Sequence, residues 1–86
     1  MLQLAIVMPV YNEAERIAEV VAQWHAVLDA EAIRCKLLVL NDGSHDGTEV
    51  ALAPFAGQPW FELINKPNAG HGPTILQGYH HLVSQA

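Results

Sequence analysis

The sequence predicts an α/β fold built on a parallel sheet, and three observations support this prediction. Short apolar runs alternate with longer amphipathic segments, in the order strand, helix, strand, helix, strand, helix. The first run, residues 2–8, is almost continuously apolar, which is typical of a strand that is covered on both faces. Each run is followed by a polar loop. Alternation at this spacing indicates right-handed βαβ units in a parallel sheet.

The first strand is predicted at residues 2–8, and Pro9 is expected to end it because proline has no N–H for a sheet ladder. A helix is predicted over residues 13–30, with Asn12 as its N-cap. The other predicted elements are a strand at 36–40, a helix at 48–55, a strand at 61–65 and a last helix with Pro73 near its first turn.

Both long helices carry a set of apolar residues, which in the first helix follow helical spacing. In the first helix these are Ile17, Val20, Val21, Trp24, Val27 and Leu28. In the last helix they are Ile75, Leu76, Tyr79, Leu82 and Val83.

Composition excludes several classes of function. The chain has 86 residues, a net charge of −5 and only 4 Lys and Arg. So few cations cannot form a stripe that follows a phosphate backbone, so no nucleic acid polymer is expected as a partner. A single cysteine, Cys35, excludes an internal disulfide and is interpreted as a small apolar residue at the start of a strand. There is no signal-peptide pattern and no run of ~20 apolar residues, so a cytoplasmic location is predicted.

Three polar loops follow the three strands, at residues 9–13 (the first loop), 40–48 (the second loop) and 65–73 (the third loop). Open parallel sheets bind ligands at the carboxyl ends of their strands. We therefore expect the loops to converge there around a nucleotide or phosphate, with Asp42 and the first loop facing one cleft.

The first loop offers Tyr11, whose aromatic face suits a nucleotide base, and Glu13, a carboxylate acceptor. The alternative is a plain turn followed by a helix cap. In the second loop, Asp42 can accept a hydrogen bond from the ring N–H of uracil or guanine, and Gly43 allows close approach of a backbone. The alternative there is an Asx turn with a helix cap at Asp46 or Thr48.

The third loop opens a helix whose first N–H groups favour anions, and Lys66 lies beside it. A diphosphate or ribose contact is one interpretation, and a simple strand-to-helix connection is the other. His71 has no partner at a metal-ligand spacing, and neighbouring His80 and His81 face different ways on a helix, so no metal site is expected from histidines. Motifs for dinucleotide binding, for a P-loop and for a serine nucleophile elbow are all missing.

Taken in order, the segments VMPVYNEAERI, LLVLNDGSHDGT and NKPNAGHGPTILQGY resemble the family 2 glycosyltransferases, and the resemblance covers the whole chain. It implies a Rossmann-like three-layer α/β/α fold of the GT-A type, with sheet order 3-2-1. It implies that Asp42 contacts the base ring, although Asn41 stands where the family has a first aspartate. It also implies a base and ribose pocket lined by Pro9, Tyr11 and Glu13, with Asn68 and Gly70 near the ribose and phosphates.

The same resemblance implies transfer of a sugar from a UDP- or GDP-linked donor, with Mg²⁺ or Mn²⁺ at the diphosphate. The PVYNE form resembles the polyprenyl-phosphate sugar transferases, which implies a polyprenyl phosphate as acceptor and a full-length protein at the cytoplasmic face of a membrane. The family's Asp-x-Asp metal motif and its catalytic carboxylate do not occur in residues 1–86. The chain is therefore interpreted as a single truncated donor-binding domain without catalytic or metal-binding residues. A non-catalytic nucleotide-binding module, or an inactive structural remnant, is the alternative.

In the fold that this family adopts, a fourth strand pairs on the free side of the first strand. Without that strand, the first strand is expected to present an open edge that pairs with a second copy of the chain.

Overall fold

The computed structural model describes residues 4–84. Its strands are β1 (Leu4–Val10), β2 (Cys35–Asp42) and β3 (Phe61–Lys66). Its helices are α1 (Ile17–Ala30), α2 (Thr48–Leu52, continued by a 3₁₀ turn at Ala53–Phe55) and α3 (His71–Ser84). The predicted order of elements is confirmed. Residues 2 and 3, which the sequence assigned to the first strand, lie outside the described residues.

The three strands form one parallel sheet in the order β1-β2-β3, as predicted. The register pairs Val10 with Asn41 and Asp42 with Lys66. Because parallel strands run in the same direction, the first, second and third loops all leave the sheet at one edge, which we call the carboxyl edge. Cys35 begins β2 and is half-buried there, as expected.

Pro9 does not end the first strand, because β1 continues to Val10. The backbone N–H of Leu4 donates to the carbonyl of Arg34, so alternate residues from Leu4 onwards turn their N–H groups toward β2. Pro9 falls in the other set, which faces the free side of β1. A proline there removes no hydrogen bond from the sheet, which explains why an edge strand tolerates it.

Asn12 is not the N-cap of α1. The regular helix begins at Ile17, although the N–H groups of Arg16 and Ile17 already bond to the carbonyl of Glu13. Asn12 has a positive φ of 51°, and its side-chain oxygen accepts a hydrogen bond from the N–H of His45. This contact with the second loop takes the side chain away from the helix.

Helices cover both faces of the sheet, which gives the predicted three layers. Alternate residues of β2 point to opposite faces: Leu37 and Val39 pack with α1 and α2, whereas Leu40 lies under α3. The core on the first face comprises Val10, Ile17, Val21, Leu37, Val39, Leu52 and Phe61.

The apolar residues predicted for the last helix all lie in α3, but three of the five are exposed. Thr74 and Gly78 are the buried residues of α3, whereas Leu76, Tyr79 and Val83 are more than half exposed. A Cβ atom on Gly78 would lie 2.6 Å from Val7 Cγ1. Small residues therefore bring α3 close to the sheet, whereas the side chains of Leu76, Tyr79 and Val83 are exposed.

Within residues 4–84, no helix combines the length and the apolar character that crossing a membrane requires.

Candidate functional site

All three polar loops meet at the carboxyl edge, as the sequence predicts, and each is joined to a neighbour by hydrogen bonds. The second loop is central: it contacts the first loop on one side and the third loop on the other. Tyr11 follows Val10, the register partner of Asn41, so Tyr11 and Asp42 lie at the same edge.

Asp42 is the centre of the junction between the second and third loops. It is the last residue of β2, and the sheet register places it beside Lys66, the last residue of β3. The Lys66 ammonium donates to Asp42 Oδ1 at 2.7 Å and to the carbonyl oxygen of Pro67 at 2.7 Å. The side chains of Asp42 and Lys66 are only 1% and 7% exposed. This ion pair is therefore almost fully withdrawn from solvent.

The third loop wraps around the same carboxylate. The N–H of Ala69 donates to Asp42 Oδ1 at 2.8 Å, and the N–H of Gly70 donates to Oδ2 at 2.9 Å. The hydrogen bond from Lys66 has the largest effect; together with the two amide groups and the Thr74 side chain it outweighs burial and lowers the pKa of Asp42 to about 2. The carboxylate is consequently ionised throughout the neutral range.

Two further contacts fix the third loop against β2. The Asn68 side-chain amide donates to the carbonyl of Asp42 at 3.0 Å. Gly43 has a φ of +70°, and a Cβ atom there would lie 2.6 Å from the backbone nitrogen of Asn68. Gly43 does permit close approach of a backbone, as predicted, and the backbone that approaches it here is that of the third loop.

The first and second loops are joined by exchanged hydrogen bonds. The N–H of Asn12 donates to Ser44 Oγ at 2.8 Å, and the N–H of His45 donates back to Asn12 Oδ1 at 2.9 Å. The Asp46 carboxylate accepts from the N–H of Ala14 and from the N–H and hydroxyl of Thr48. The hydroxyl of Thr48 contributes most to lowering the pKa of Asp46. Sequence reasoning read Asp46 as a possible local helix cap and missed its bond to the first loop.

The side chains of the first loop are exposed at this edge. Tyr11 is 42% exposed, and Glu13 is exposed as well. A cavity of about 250 Å³ lies beside the loop and is lined by Met8, Pro9, Val10, Glu13, Arg16, Ile17 and Val20. Two predicted pocket residues, Pro9 and Glu13, thus share a cavity. Arg16 places a cation in this cavity, which sequence reasoning did not consider.

Asn41 lies on the sheet face opposite to Asp42. Its amide group donates to Asn65 Oδ1 at 3.0 Å, and the amide group of Asn65 donates to Glu49 at 3.3 Å. The oxygen of Asn41 is buried without a partner among the described residues. Hydrogen bonds thus connect Asn41 in β2 to Glu49 in α2 through Asn65, but the side-chain oxygen of Asn41 accepts none of them.

The carboxylates at this edge do not fit a divalent cation. Among residues 4–84, no three or more His, Cys, Asp or Glu side chains converge in a way that could hold a metal ion. Asp42 is paired with Lys66, and Asp46 is held by Thr48 and Ala14. We therefore derive no step through a metal in this part of the chain.

A second cavity lies at the opposite edge of the sheet and is unrelated to the three loops. Its volume is about 360 Å³, and it is lined by His25, Leu28, Asp29, Ile33, Arg34, Cys35, Leu37, Pro59 and Trp60. The rings of His25 and Trp60 stack at 3.9 Å between centroids. Burial raises the pKa of the Cys35 thiol, which favours the neutral form.

The histidines do not form a group. His71 is exposed at the first position of α3, and His81 contacts Glu62 at 2.6 Å on the α3 face of the sheet. Glu62 also forms an ion pair with Lys36.

A parallel sheet with helices on both faces and joined loops at its carboxyl edge defines the class of Rossmann-like domains, in which this edge is the usual place for a nucleotide. The chain belongs to glycosyltransferase family 2, because the family model described as "Glycosyl transferase family 2" matches residues 5–85.

Individual relatives agree with this assignment. The chain is 33% identical over 82 residues to a dolichyl-phosphate beta-glucosyltransferase of Trichomonas vaginalis, covering 87% of the chain and 24% of the relative. It is 28% identical over 83 residues to an undecaprenyl-phosphate 4-deoxy-4-formamido-L-arabinose transferase of Edwardsiella ictaluri, covering 92% and 25%. The chain thus spans about a quarter of the length of the curated relatives that it matches.

A solved structure supports the GT-A fold. The mannosyltransferase PcManGT from Pyrobaculum calidifontis, in complex with GDP-Man and Mn²⁺, superposes with a TM-score of 0.76 at 21% sequence identity. The match covers 92% of this chain and 24% of that protein.

Proposed function

We propose that this chain forms the part of a glycosyltransferase that binds a nucleoside-diphosphate sugar, linked to UDP or GDP. The observation that carries the proposal is the convergence of three hydrogen-bonded loops at the carboxyl edge of a family 2 domain. A nucleotide at this edge would lie at the ends of all three strands, where open parallel sheets take their ligands.

The first loop supplies the exposed part of this site. We assign Pro9, Tyr11 and Glu13 to the base and ribose, because Tyr11 presents an exposed ring and the other two line the adjoining cavity. Asn68 and Gly70 are assigned to the region of the ribose and phosphates. Their amide groups already bond to Asp42 in this structure.

The proposed reaction is displacement at the anomeric carbon of the sugar. A divalent cation, Mg²⁺ or Mn²⁺, would neutralise the departing diphosphate, and a carboxylate would take the proton of an acceptor that needs one. The mannosyltransferase of similar fold is bound to Mn²⁺. We assign the metal ligands and the catalytic carboxylate to a part of the protein other than residues 1–86.

We propose a polyprenyl phosphate as the acceptor, because two relatives are named as dolichyl-phosphate and undecaprenyl-phosphate transferases. An acceptor of this kind is held in a bilayer by its apolar chain. We propose that the reaction takes place at the surface of this membrane, on its cytoplasmic side.

Calorimetric titration of the 86-residue chain with UDP and GDP tests the binding proposal. Weak binding of at least one of them is expected. Tyr11→Ala should weaken it by about 1–2 kcal/mol, since a base stacked on an aromatic ring contributes this amount or more. Tyr79→Ala is the matched control, because Tyr79 is also exposed but lies on α3. Equal losses in the two variants would contradict the assignment of Tyr11.

A second candidate for the isolated chain is a module that binds a nucleotide without transferring a sugar. It is favoured because no group of His, Cys, Asp or Glu side chains within residues 4–84 could hold a metal ion. We expect no sugar transfer by the 86 residues in an assay with a radiolabelled donor. Metal-dependent transfer above a heat-inactivated control would overturn this expectation.

We also propose that the chain associates with itself through the free side of β1. Within residues 4–84, β1 pairs only with β2, and the side chain of Ala5 in this strand is exposed. Ala5→Lys should lower the association constant measured by sedimentation over a concentration series. Ala22→Lys introduces the same charge at an exposed position of α1 and should have little effect. A wild-type chain that stays monomeric at high concentration would refute the proposal.

A further inference from the structure

Arg16 is a cation whose side chain has no partner among the residues that the structure describes. The chain has 4 Lys and Arg. Lys36 and Lys66 form ion pairs with carboxylates, and Arg34 has an interaction of its own. The side chain of Arg16 is exposed and forms no ion pair or hydrogen bond within residues 4–84. In a chain of net charge −5, this guanidinium is therefore the cation that is available to an anionic ligand.

The local fold places Arg16 close to Glu13. The N–H groups of Arg16 and Ile17 donate to the carbonyl oxygen of Glu13 at 3.0 and 2.8 Å, which closes a turn between the first loop and α1. Ile17 is buried in the core and anchors this turn. The side chains of Glu13 and Arg16 line the same cavity of about 250 Å³, together with Pro9.

The two charged groups of this cavity do not neutralise each other. No ion pair joins Glu13 and Arg16 among the described residues, and no side chain there donates a hydrogen bond to the Glu13 carboxylate. The cavity thus contains one group that only accepts hydrogen bonds and one that only donates them. A ligand that satisfies both carries a negative charge next to a hydroxyl group.

Sugar phosphates have this chemistry. A guanidinium binds phosphate oxygens through paired, charge-assisted hydrogen bonds, and a carboxylate accepts hydrogen bonds from the hydroxyl groups of a sugar. The cavity, at about 250 Å³, is smaller than the roughly 300–1,000 Å³ of pockets that hold a complete ligand. It therefore suits a sugar ring with its phosphate rather than a whole nucleotide.

We propose that Arg16 binds a phosphate group of the sugar-nucleotide donor, while Glu13 accepts a hydrogen bond from a hydroxyl group of the adjoining sugar. The inference rests on the proposed function and adds to it a residue that recognises phosphate. This residue lies in the turn before α1, on the opposite side of the first loop from β1.

NMR titration of the 86-residue chain with ribose 5-phosphate tests this site without a base. The Nε–H resonance of Arg16 should shift and saturate, whereas that of Arg34, at the opposite edge of the sheet, should stay in place. Dimethylallyl phosphate is a phosphate ester without hydroxyl groups, and it should bind about fivefold more weakly because Glu13 gains no donor. Equal or tighter binding of dimethylallyl phosphate would overturn the assignment to a sugar phosphate and would favour the phosphate of a lipid acceptor.

Arg16→Gln should weaken the binding of UDP and GDP about tenfold, because a neutral amide loses the charge-assisted bonds to phosphate. Uridine and guanosine, which have no phosphate, should change by less than about twofold. Arg34→Gln is the matched control, since it removes the same charge beside the other cavity and should change none of these affinities. Arg16→Gln should also unfold at the same urea concentration as the wild type, because its side chain has no partner to lose. Equal weakening of nucleosides and diphosphates, or no weakening at all, would overturn the role of Arg16.

The inference and the proposed function can fail independently. Saturable binding of ribose 5-phosphate at Arg16 without binding of UDP or GDP would refute the proposed function and retain the phosphate site. Binding of UDP or GDP that Arg16→Gln does not weaken would retain the proposed function and refute the role of Arg16. A chain that bound none of these ligands would refute both.

Discussion

The two junctions at the carboxyl edge are built from different chemistry. The second and third loops are joined around the buried ion pair of Asp42 and Lys66, which is almost inaccessible to solvent. The first and second loops are joined mainly by hydrogen bonds between backbone amides and exposed side chains, such as the pair formed by Asn12 and Ser44. Both junctions bring distant segments together, over 24 and 32 positions of sequence for these contacts.

The difference shows how one edge of a sheet can carry a fixed half and an adjustable half. Breaking a buried pair leaves a desolvated charge, which costs several times more than losing an exposed hydrogen bond that water can replace. The third loop should therefore keep its conformation with and without ligand. The first loop can change at small cost, and it carries the exposed ring of Tyr11.

Lys66→Met should produce the largest effect on stability. It removes the cation from a carboxylate that is 1% exposed and leaves that charge buried. We expect the free energy of unfolding, measured with urea, to fall by about 3 kcal/mol. Asp42→Asn/Lys66→Met should lose less than Lys66→Met alone. Additive losses in this cycle would show that the two side chains are not energetically coupled.

Gly43→Ala should cause the next largest loss of unfolding free energy. It tests the backbone contact at the junction of the second and third loops. The added Cβ combines a positive φ of 70° with an approach of 2.6 Å to the nitrogen of Asn68, so a loss of about 2–3 kcal/mol is expected. Gly47→Ala is the matched control, because Gly47 also has a positive φ but no neighbour within 4 Å of the added atom. It should lose only about 1 kcal/mol. Equal losses would mean that the contact with Asn68 has no energetic weight.

Acidification should loosen the same junction. The pKa of Asp42 lies at about 2, below its ordinary value, so ionisation of this group stabilises the fold above pH 4. That contribution, on the order of 2 kcal/mol, is lost as the pH falls toward 2. The lowered pKa of Asp46 acts in the same direction. Thermal unfolding between pH 7 and 3 should show a flatter pH dependence for Asp42→Asn/Lys66→Met than for the wild type. Parallel curves would contradict the assigned origin.

Ser44→Ala should have the smallest effect. It removes the oxygen that accepts from the N–H of Asn12, and solvent can take its place at this exposed position. The expected loss of unfolding free energy is below about 1 kcal/mol. A loss as large as that of Lys66→Met would contradict the proposal that the junction of the first and second loops is the weaker of the two.

The sequence predicted the fold well because its signals are local. Short, mainly apolar runs identified β1, β2 and β3, and their alternation with helices predicted the parallel sheet. The errors have local causes too. Pro9 could remain in β1 because its missing N–H faces the free side, and this depends on the register with β2. Asn12 does not cap α1 because its side-chain oxygen bonds to the N–H of His45, 33 positions away.

The buried face of α3 shows a different limit. The apolar residues Leu76, Tyr79 and Val83 stand out in the sequence but are exposed, whereas Thr74 and Gly78 are the buried residues of α3. A helix packs closely on a sheet where its residues are small, and a pattern of hydrophobicity does not identify such residues.

At the candidate site, the sequence predicted which loops meet but not what their side chains do there. Asp42, Lys66, Asn68 and Gly70 were chosen as groups for a ligand, and the structure pairs them with one another. Polar residues that follow strands can either bind a ligand or form hydrogen bonds with one another. Only the register, which sets Asp42 against Lys66, distinguishes the two.

The position of Pro9 also bears on anything that extends the sheet beyond β1. A strand added on the free side would find N–H donors at Ala5 and Val7 but none at Pro9, so its attachment would be weakest where β1 reaches the first loop. Such a strand could turn away from β1 at that point without losing a donor. The cavity beside Pro9, Glu13 and Arg16 would then stay accessible in a wider sheet, because the added strand would not cover it.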